Sequence, residues 1–427
     1  MTAMLPTAAR VPTAATSSER QAGKEHEPRQ AAAPCRGRIL LATLLAAVLV
    51  AAMDRAPLRA EPPRKVLGLD RVIAFTYIPT GYNPKQLRSV TFIEPTAPKD
   101  WQDWHSRGAV VAVGHTWFDL LRNPADKAVD ILTHLDYGGN PRPVVSIDEF
   151  GFDFGGQTDQ KSAAILRQTK RQRPDLALSV WEMRGPIPKV LAEAYRDVAS
   201  LVMLECYVGD KKDYWWIATQ VHAARMHGLL PKTIVALGLG TGGNPGELWA
   251  RTPAELERQI RFVRLVAPES PGVGFFSAGA TPELMARADA LCSRFFELPS
   301  DGAALPDDAR ALARLFSGRH EKPILVGSPA WVEPNRSAAD PGKLVEPKTM
   351  RAYLMNLGDR AAGNVQVRLR NPKDKGGDVF AAGAVAEVPP RGEAIAILPV
   401  TAKWNVWKTW EVEVEVPDGE VIVYRLQ

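Results

Sequence analysis

The chain has 427 residues, of which 45% are hydrophobic and 24% charged, values that are ordinary for a globular protein. Its net charge of +5 is concentrated at the start, since residues 1–60 hold eight Lys/Arg and four Asp/Glu, whereas the remainder holds 45 and 44. A nearly neutral body lacks the basic footprint of a nucleic-acid-binding protein, so nucleic acid is excluded as a partner.

An apolar segment at residues 39–53 contains no charge and follows Arg36 and Arg38. As a helix it would span only about 22 Å, less than the ~30 Å hydrocarbon core of a bilayer, which favours a secretory signal peptide. We interpret residues 1–60 as a disordered leader with a signal peptide, and a membrane tether through residues 39–53 is the alternative. The predicted location is therefore secreted, periplasmic or associated with the cell envelope.

Eight short apolar runs alternate with polar or helical stretches between residues 66 and 297. Most runs are continuous, as in parallel strands that are covered on both faces. One connector begins Thr252-Pro-Ala-Glu255, with a Thr N-cap, Pro at the first helical position and Glu at the third. This pattern predicts a (β/α)8 TIM-type barrel. The runs are 72–77, 90–93, 110–113, 144–147, 176–181, 201–204, 234–237 and 273–276.

The pattern changes behind the barrel. Residues 298–322 are interpreted as a connector with a helical patch at 307–316, and residues 323–427 as a second domain. Residues 410–416 alternate between apolar and acidic, and a Pro417-Asp-Gly-Glu turn precedes a return strand at 421–424. Short strands separated by turn signals predict a small all-β, immunoglobulin-like sandwich of about 100 residues.

Reactive groups of a (β/α)8 barrel lie at the carboxyl ends of its strands, and here those ends are acidic and aromatic. Only one histidine and no lysine stands there, which argues against a catalytic metal and against Schiff-base chemistry. Cys206 and Cys292 show no metal-binding or disulfide-framework spacing. We therefore predict no metal and no cofactor.

The segment Ser146-Ile-Asp-Glu149 is the strongest candidate. Because neighbouring strand residues point to opposite sides, we expect Val145 and Ile147 to face the helices and Ser146 and Asp148 to face the lumen, with Glu149 at the lip. An acid beside a like charge has a raised pKa, as a general acid needs. We predict Glu149 as the proton donor and Asp148 as its modulator.

Glu205 is the predicted second carboxylate, acting as base, nucleophile or charge stabiliser. Each predicted acid could instead cap a helix or pair with a base, and each aromatic or histidine could simply pack. The residues that we expect to contact substrate are Glu182, Tyr207, Trp181, His115, Trp117, Tyr77 and Asp153.

An acid pair ending the fourth strand of a secreted barrel with a trailing β-sandwich resembles retaining glycoside hydrolases of the barrel superfamily. In one large group the acid/base Glu follows Asn, where this chain has Asp148, and the nucleophile is a Glu on strand 7, which residues 234–240 lack. The chitinase-like group uses Asp-x-Asp-x-Glu with a Tyr on strand 6. Glu149 and Tyr207 match those two positions, although the Asp-x-Glu step is missing.

The resemblance implies cleavage of glycosidic bonds in a polysaccharide or oligosaccharide by carboxylate acid/base chemistry. A non-catalytic carbohydrate-binding or cell-envelope scaffold protein on the same fold is the alternative. Such a protein would bind glycans without releasing reducing ends. A barrel hydrolase acting on amide or ester bonds is a third reading, which the absence of a Gly-x-Ser-x-Gly nucleophile motif disfavours.

Overall fold

The structure is a computed structural model that describes most of the chain after residue 64. The predicted leader, with residues 39–53, and the candidate Asp153 lie outside the described residues. No helix within the described part has the length and apolar character that a membrane crossing requires. The described residues are 65–79, 82–94, 101–150, 156–183, 187–208, 214–240, 249–298, 302–326, 332–334, 349–370, 379–399, 411–415, 420–422 and 424–425.

A parallel sheet forms the first part of the described chain, with the strand order β3-β2-β1-β9-β8-β7-β6-β5-β4. Its two edges, β3 and β4, are separated in sequence only by Ala112, so one segment pairs with β2 at one end and with β5 at the other. The sheet therefore nearly closes on itself and fits the predicted TIM-type barrel. The strands are β1 (Val72–Thr76), β2 (Phe92–Ile93), β3 (Val110–Val111), β4 (Val113–Thr116), β5 (Val144–Phe150), β6 (Ala177–Glu182), β7 (Ala199–Cys206), β8 (Thr233–Gly240) and β9 (Gly272–Gly279).

Helices connect most of these strands. The capping box predicted before the helix Pro253–Val266 is present. Thr252 accepts a hydrogen bond from the Glu255 backbone, and the Glu255 carboxylate accepts one from the Thr252 backbone. Between β1 and β2, the described residues contain only a short 3-10 turn at Pro84–Gln86. The helices are α1 (Trp101–Ser106), α2 (Trp117–Leu121), α3 (Ala125–Thr133), α4 (Gly156–Gln172), α5 (Lys189–Val198), α6 (Tyr214–Met226), α7 (Pro253–Val266) and α8 (Pro282–Cys292).

Strand side chains alternate between two buried layers. One layer lies inside the barrel, and its members on β7, for example, are Leu201 and Met203. The other layer lies between strands and helices and includes Val145 and Ile147, as predicted. This alternation fixes which residue at each strand end points into the lumen. The interior cluster consists of Val66, Val72, Ala74, Phe92, Ala112, Val144, Trp181, Leu201, Met203, Ile234 and Ala236.

The second part of the chain contains two mainly antiparallel sheets. One joins β11, β12, β10 and β17, with β15 paired to β12, and the other has the order β14-β13-β16-β18. Both sheets contribute to one buried cluster, which is consistent with a β-sandwich. The finer immunoglobulin-like assignment stays a prediction. The strands are β10 (Ile324–Val326), β11 (Val332–Pro334), β12 (Thr349–Asn356), β13 (Ala362–Arg370), β14 (Val379–Val388), β15 (Glu393–Pro399), β16 (Glu411–Glu415), β17 (Glu420–Ile422) and β18 (Tyr424–Arg425).

The two parts are in direct contact. Helix α9 (Asp307–Ser317), inside the predicted connector, places Phe316 against Trp215 of α6 with ring centroids 4.9 Å apart. Arg351 of β12 forms an ion pair with Asp159 of α4 at 3.2 Å, where Asp159 is buried and Arg351 is partly buried. The predicted connector therefore adds a helix to the outer layer of the barrel, and an ion pair joins sandwich to barrel.

Candidate active site

Two predicted acids occupy interior positions at the carboxyl ends of their strands. Asp148 follows the interior Ser146 on β5, and Glu205 follows the interior Met203 on β7. Glu205 is only 6% exposed. The charge of Asp148 helps to raise the pKa of Glu205, so the two carboxyl groups interact across the lumen. The structure therefore brings these two predicted residues together.

A third interior acid, Glu94, follows the two-residue strand β2 and is not among the residues predicted from the sequence. Trp181 Nε1 lies 3.3 Å from Glu94 Oε1 and donates a shorter bond of 2.8 Å to Ser146 Oγ. A Cβ added to Gly114 would lie 3.4 Å from Glu94 Oε2, so the glycine leaves this carboxyl room. Burial raises the pKa of Glu94 to about 8, and the Asp148 charge contributes. Glu94 is therefore mostly protonated at neutral pH.

Asp148 is anchored from the opposite side of the barrel. The Tyr77 hydroxyl, just after β1, donates a 2.8 Å hydrogen bond to Asp148 Oδ2. Burial raises the pKa of Asp148, while hydrogen bonds from Tyr77 and from the Glu149 backbone act in the opposite direction. Asp148 thus has two donors placed to stabilise its charged form.

Glu149 lies at an irregularity of β5. The register between β5 and β6 shifts between Ile147 and Phe150, and Glu149 has a φ of +57°, which is uncommon for a residue with a Cβ. Its side chain is half-buried. Burial, followed by the charges of Asp148 and Asp119, raises its pKa. A strained backbone and a raised pKa at one partly exposed carboxyl are typical of a functional position.

Glu205 is held at its backbone and left unpaired at one carboxyl oxygen. Its carbonyl accepts hydrogen bonds from Trp216 Nε1 at 3.1 Å and Gln220 Nε2 at 2.9 Å, both on α6. Its Oε1 is buried without a hydrogen-bond partner in the described structure. Burial raises the pKa of Glu205 well above its ordinary value, and the charges of Asp148, Glu149 and Glu182 add to this.

Aromatic rings form a wall beside the acids. The Phe276 ring on β9 lies 4.6 Å from Tyr77, 5.2 Å from Tyr207 and 5.2 Å from Trp249, measured between centroids. Trp249 packs over Gly238 of β8, where an added Cβ would come within 2.6 Å of the indole. Neither Phe276 nor Trp249 is among the predicted site residues. We call Tyr77, Tyr207, Trp249 and Phe276 the aromatic wall.

Three predicted substrate contacts lie away from this group. Glu182 is fully buried and accepts a 2.5 Å hydrogen bond from Tyr195 of α5. Trp117 is also fully buried in the helix-side layer, 4.3 Å from the Phe150 ring. His115 follows the lumen-facing Gly114 and therefore points to the other side of its strand, and burial lowers its pKa. These placements favour structural roles for all three.

The remaining predicted contact, Trp181, is fully buried in the interior layer and hydrogen-bonds to the Ser146 hydroxyl. It therefore lies at the base of the acidic group. Cys206 and Cys292 are buried free thiols. Among the residues that the structure describes, no group of three His, Cys, Asp or Glu side chains is arranged to hold a metal ion.

No family model matches the chain, and no curated protein matches it in sequence. Solved structures to which the chain is similar are glycoside hydrolases of several families. The Bacillus megaterium spore cortex-lytic enzyme SleL is 10% identical, with a TM-score of 0.37 over 51% of this chain and 73% of its own. A GH18 chitinase catalytic domain from the fern Peteris ryukyuensis is 13% identical, with a TM-score of 0.36 over 52% and 98%.

A third match, the GH27 β-L-arabinopyranosidase of Geobacillus stearothermophilus, is 10% identical, with a TM-score of 0.34 over 78% of this chain and 97% of its own. Likenesses at this level say nothing about the activity of this chain.

Proposed function

We propose that this chain is a secreted glycoside hydrolase-like enzyme that cleaves glycosidic bonds of a polysaccharide or oligosaccharide by carboxylate acid/base chemistry. The supporting observation is the convergence of Asp148, Glu149 and Glu205 at the carboxyl ends of β5 and β7, beside the aromatic wall. Glycosidic cleavage needs two carboxyl groups around an oxocarbenium-like transition state. Aromatic faces suit the apolar faces of sugar rings.

Glu149 is the proposed proton donor. Its carboxyl is half-buried, so it can reach a bound substrate, and burial together with the Asp148 charge raises its pKa. A raised pKa favours the protonated form of Glu149, which can donate its proton to the leaving oxygen. Asp148, with hydrogen bonds from Tyr77 and the Glu149 backbone, supplies the neighbouring negative charge.

Glu205 is the proposed second carboxylate. Burial, together with the charges of Asp148, Glu149 and Glu182, raises the pKa of Glu205 well above its ordinary value and favours its neutral form. The ionised form of Glu205 is the one that would act as base, nucleophile or charge stabiliser opposite the positive charge that develops on the sugar ring. Asp148 and Glu205 titrate as a coupled group rather than as independent acids.

The proposed cellular location follows from the leader. A signal peptide within residues 1–60 would deliver the enzyme to the periplasm, the envelope or the exterior, where polysaccharides are met. A tether through residues 39–53 is the alternative. Comparing the mass of the mature protein with that of the full sequence distinguishes cleavage from retention.

The test is the release of reducing ends from a panel of oligosaccharides by the purified protein and by Glu149→Gln. Removing a general acid is expected to lower turnover by about 100-fold or more. The matched control is Glu283→Gln, because Glu283 is an exposed acid in the first turn of α8. Full turnover in Glu149→Gln would disprove the assigned role. Glycan binding without any reducing ends would instead support the non-catalytic scaffold.

A further inference from the structure

The acids at the barrel mouth have no positively charged partner within the described residues. The charges that act on Glu94, Glu149 and Glu205 come from other acids and not from Lys or Arg. Elsewhere, a buried acid is paired, as the contact between Asp159 and Arg351 shows. Unpaired buried carboxylates are unfavourable, so this group must hold protons or receive a cation from outside.

One carboxyl oxygen is available for such a cation. Glu205 is only 6% exposed, and its Oε1 accepts no hydrogen bond from the described residues. A buried acceptor without a donor is unusual and favours a ligand that brings N–H or O–H groups. Glu205 Oε1 is therefore a buried acceptor without a donor, close to the charge of the neighbouring acids.

The aromatic wall beside the acids favours a particular kind of cation. Tyr77 is 41% exposed, and its ring packs on Phe276, so it presents an open edge of the wall at the mouth. Aromatic faces attract ammonium groups and also stack against the apolar faces of sugar rings. A ligand that uses both features has a sugar ring and a positive charge on the same unit.

We infer that the glycan recognised here is cationic, built from amino sugars whose free amines are protonated. This inference rests on the proposed function, since it names the substrate class of the same site. A protonated amine placed between Asp148 and Glu205 supplies the positive charge that both groups lack and a donor for Glu205 Oε1. The adjoining sugar ring stacks on the aromatic wall.

The same arrangement discriminates against other glycans. A uronic acid or a sulfated sugar would bring a negative charge beside the Asp148 carboxylate, which is repulsive. An N-acetylated sugar has the same ring but no charge, so it leaves the carboxyl groups unpaired. The preferred order is therefore free amino sugar, then N-acetylated sugar, then uronic acid.

Binding measurements with three hexasaccharides test this order. The ligands are a glucosamine hexamer, its fully N-acetylated counterpart and a galacturonic acid hexamer, titrated into the full chain carrying Glu149→Gln to suppress cleavage. We expect the glucosamine hexamer to bind at least about ten-fold more tightly than the acetylated one at low salt. High salt should reduce this preference, because ions screen the charge contribution.

Two variants locate the effect. Asp148→Asn and Glu205→Gln should each reduce the preference for the free amine, whereas the exposed Glu283→Gln should leave it unchanged. If either site variant fails to fold, the salt dependence of the parent protein still decides the question. Equal affinity for the acetylated and the free hexamer, or tighter binding of the galacturonic acid hexamer, overturns the inference.

Failure of this inference is distinguishable from failure of the proposed function. A strong preference for the glucosamine hexamer without release of reducing ends from any glycan supports cationic recognition and contradicts hydrolysis. Cleavage of neutral glycans together with no preference for the free amine supports hydrolysis and contradicts cationic recognition.

Discussion

The Tyr77 hydroxyl and the Asp148 carboxylate are joined by a 2.8 Å hydrogen bond between residues 71 positions apart in sequence. The bond links the end of β1 to β5 across the mouth of the barrel. Burial and the Asp148 charge raise the pKa of Tyr77 above its ordinary value, so the phenol remains a donor. Its donated hydrogen favours the ionised form of Asp148 in a buried setting.

Replacing Tyr77 with Phe removes this donor and should raise the pKa of Asp148 further. If an ionised Asp148 supports catalysis, the acidic limb of the kcat/KM profile moves to higher pH by about one unit, with a loss of turnover on the order of 10-fold. Tyr82→Phe is the control, because Tyr82 is influenced by Asp289 and not by the site acids. An unchanged pH profile in Tyr77→Phe would show that the bond has no catalytic role.

The backbone at Glu149 predicts a conflict between stability and activity. A φ of +57° is strained for any residue with a Cβ and is relaxed for glycine. Glu149→Gly should therefore be more stable than Glu149→Ala by about 1 kcal/mol in the free energy of unfolding, while both lose turnover. Chemical denaturation of the two variants measures the difference. Equal stabilities would mean that the φ value carries no strain.

Most of the fold is predictable from the sequence because its local signals agree with one another. Continuous apolar runs mark the buried parallel strands, and the Thr252–Glu255 capping box marks the start of α7. The third run is the exception, since the structure divides it at Ala112 into β3 and β4, which pair with different neighbours. Barrel closure is a tertiary relationship, and no local pattern specifies it.

The candidate site is only partly predictable, for reasons that differ from residue to residue. Asp148 follows from strand alternation, and the same rule applied to β6 places Glu182 with Val180 on the helix side. Glu94 escapes prediction because β2 has two residues, too few to show a period. Trp249 is not predicted because it lies beyond the end of β8 and joins the aromatic wall only by packing over Gly238.

Gly238 should be essential to the aromatic wall. A Cβ there would lie 2.6 Å from the Trp249 indole, so Gly238→Ala must displace the ring. We expect a loss of about 1–3 kcal/mol in the free energy of unfolding, a changed tryptophan fluorescence spectrum and weaker glycan binding. Gly363→Ala on β13 is the control, because its nearest neighbour would be 3.9 Å away. Unaltered fluorescence in Gly238→Ala would contradict the packing described here.

Glu94 predicts how stability changes with pH. Its pKa is about 8 in the folded chain and about 4.5 as an ordinary glutamate, so the folded state holds the extra proton between those values. The stability that Glu94 contributes is therefore fully present below pH 4.5 and is lost as the pH rises towards 8. Glu94→Gln cannot ionise and loses less stability over this window. At pH 8 its melting temperature should exceed that of the parent by about 2 °C or more, whereas at pH 5 the difference should be small.

The control separates this effect from a general response to charge removal. Glu283→Gln also deletes one carboxylate, but from an exposed position, so its melting temperature should follow the parent at every pH. The pKa values of Asp148, Glu149 and Glu205 are also raised. The parent should therefore lose stability with rising pH more steeply than the titration of Glu94 alone requires. A melting temperature for Glu94→Gln that runs parallel to the parent from pH 5 to pH 8 would mean that Glu94 is ionised in the folded protein, because its removal would then delete no pH-dependent contribution to stability in this range.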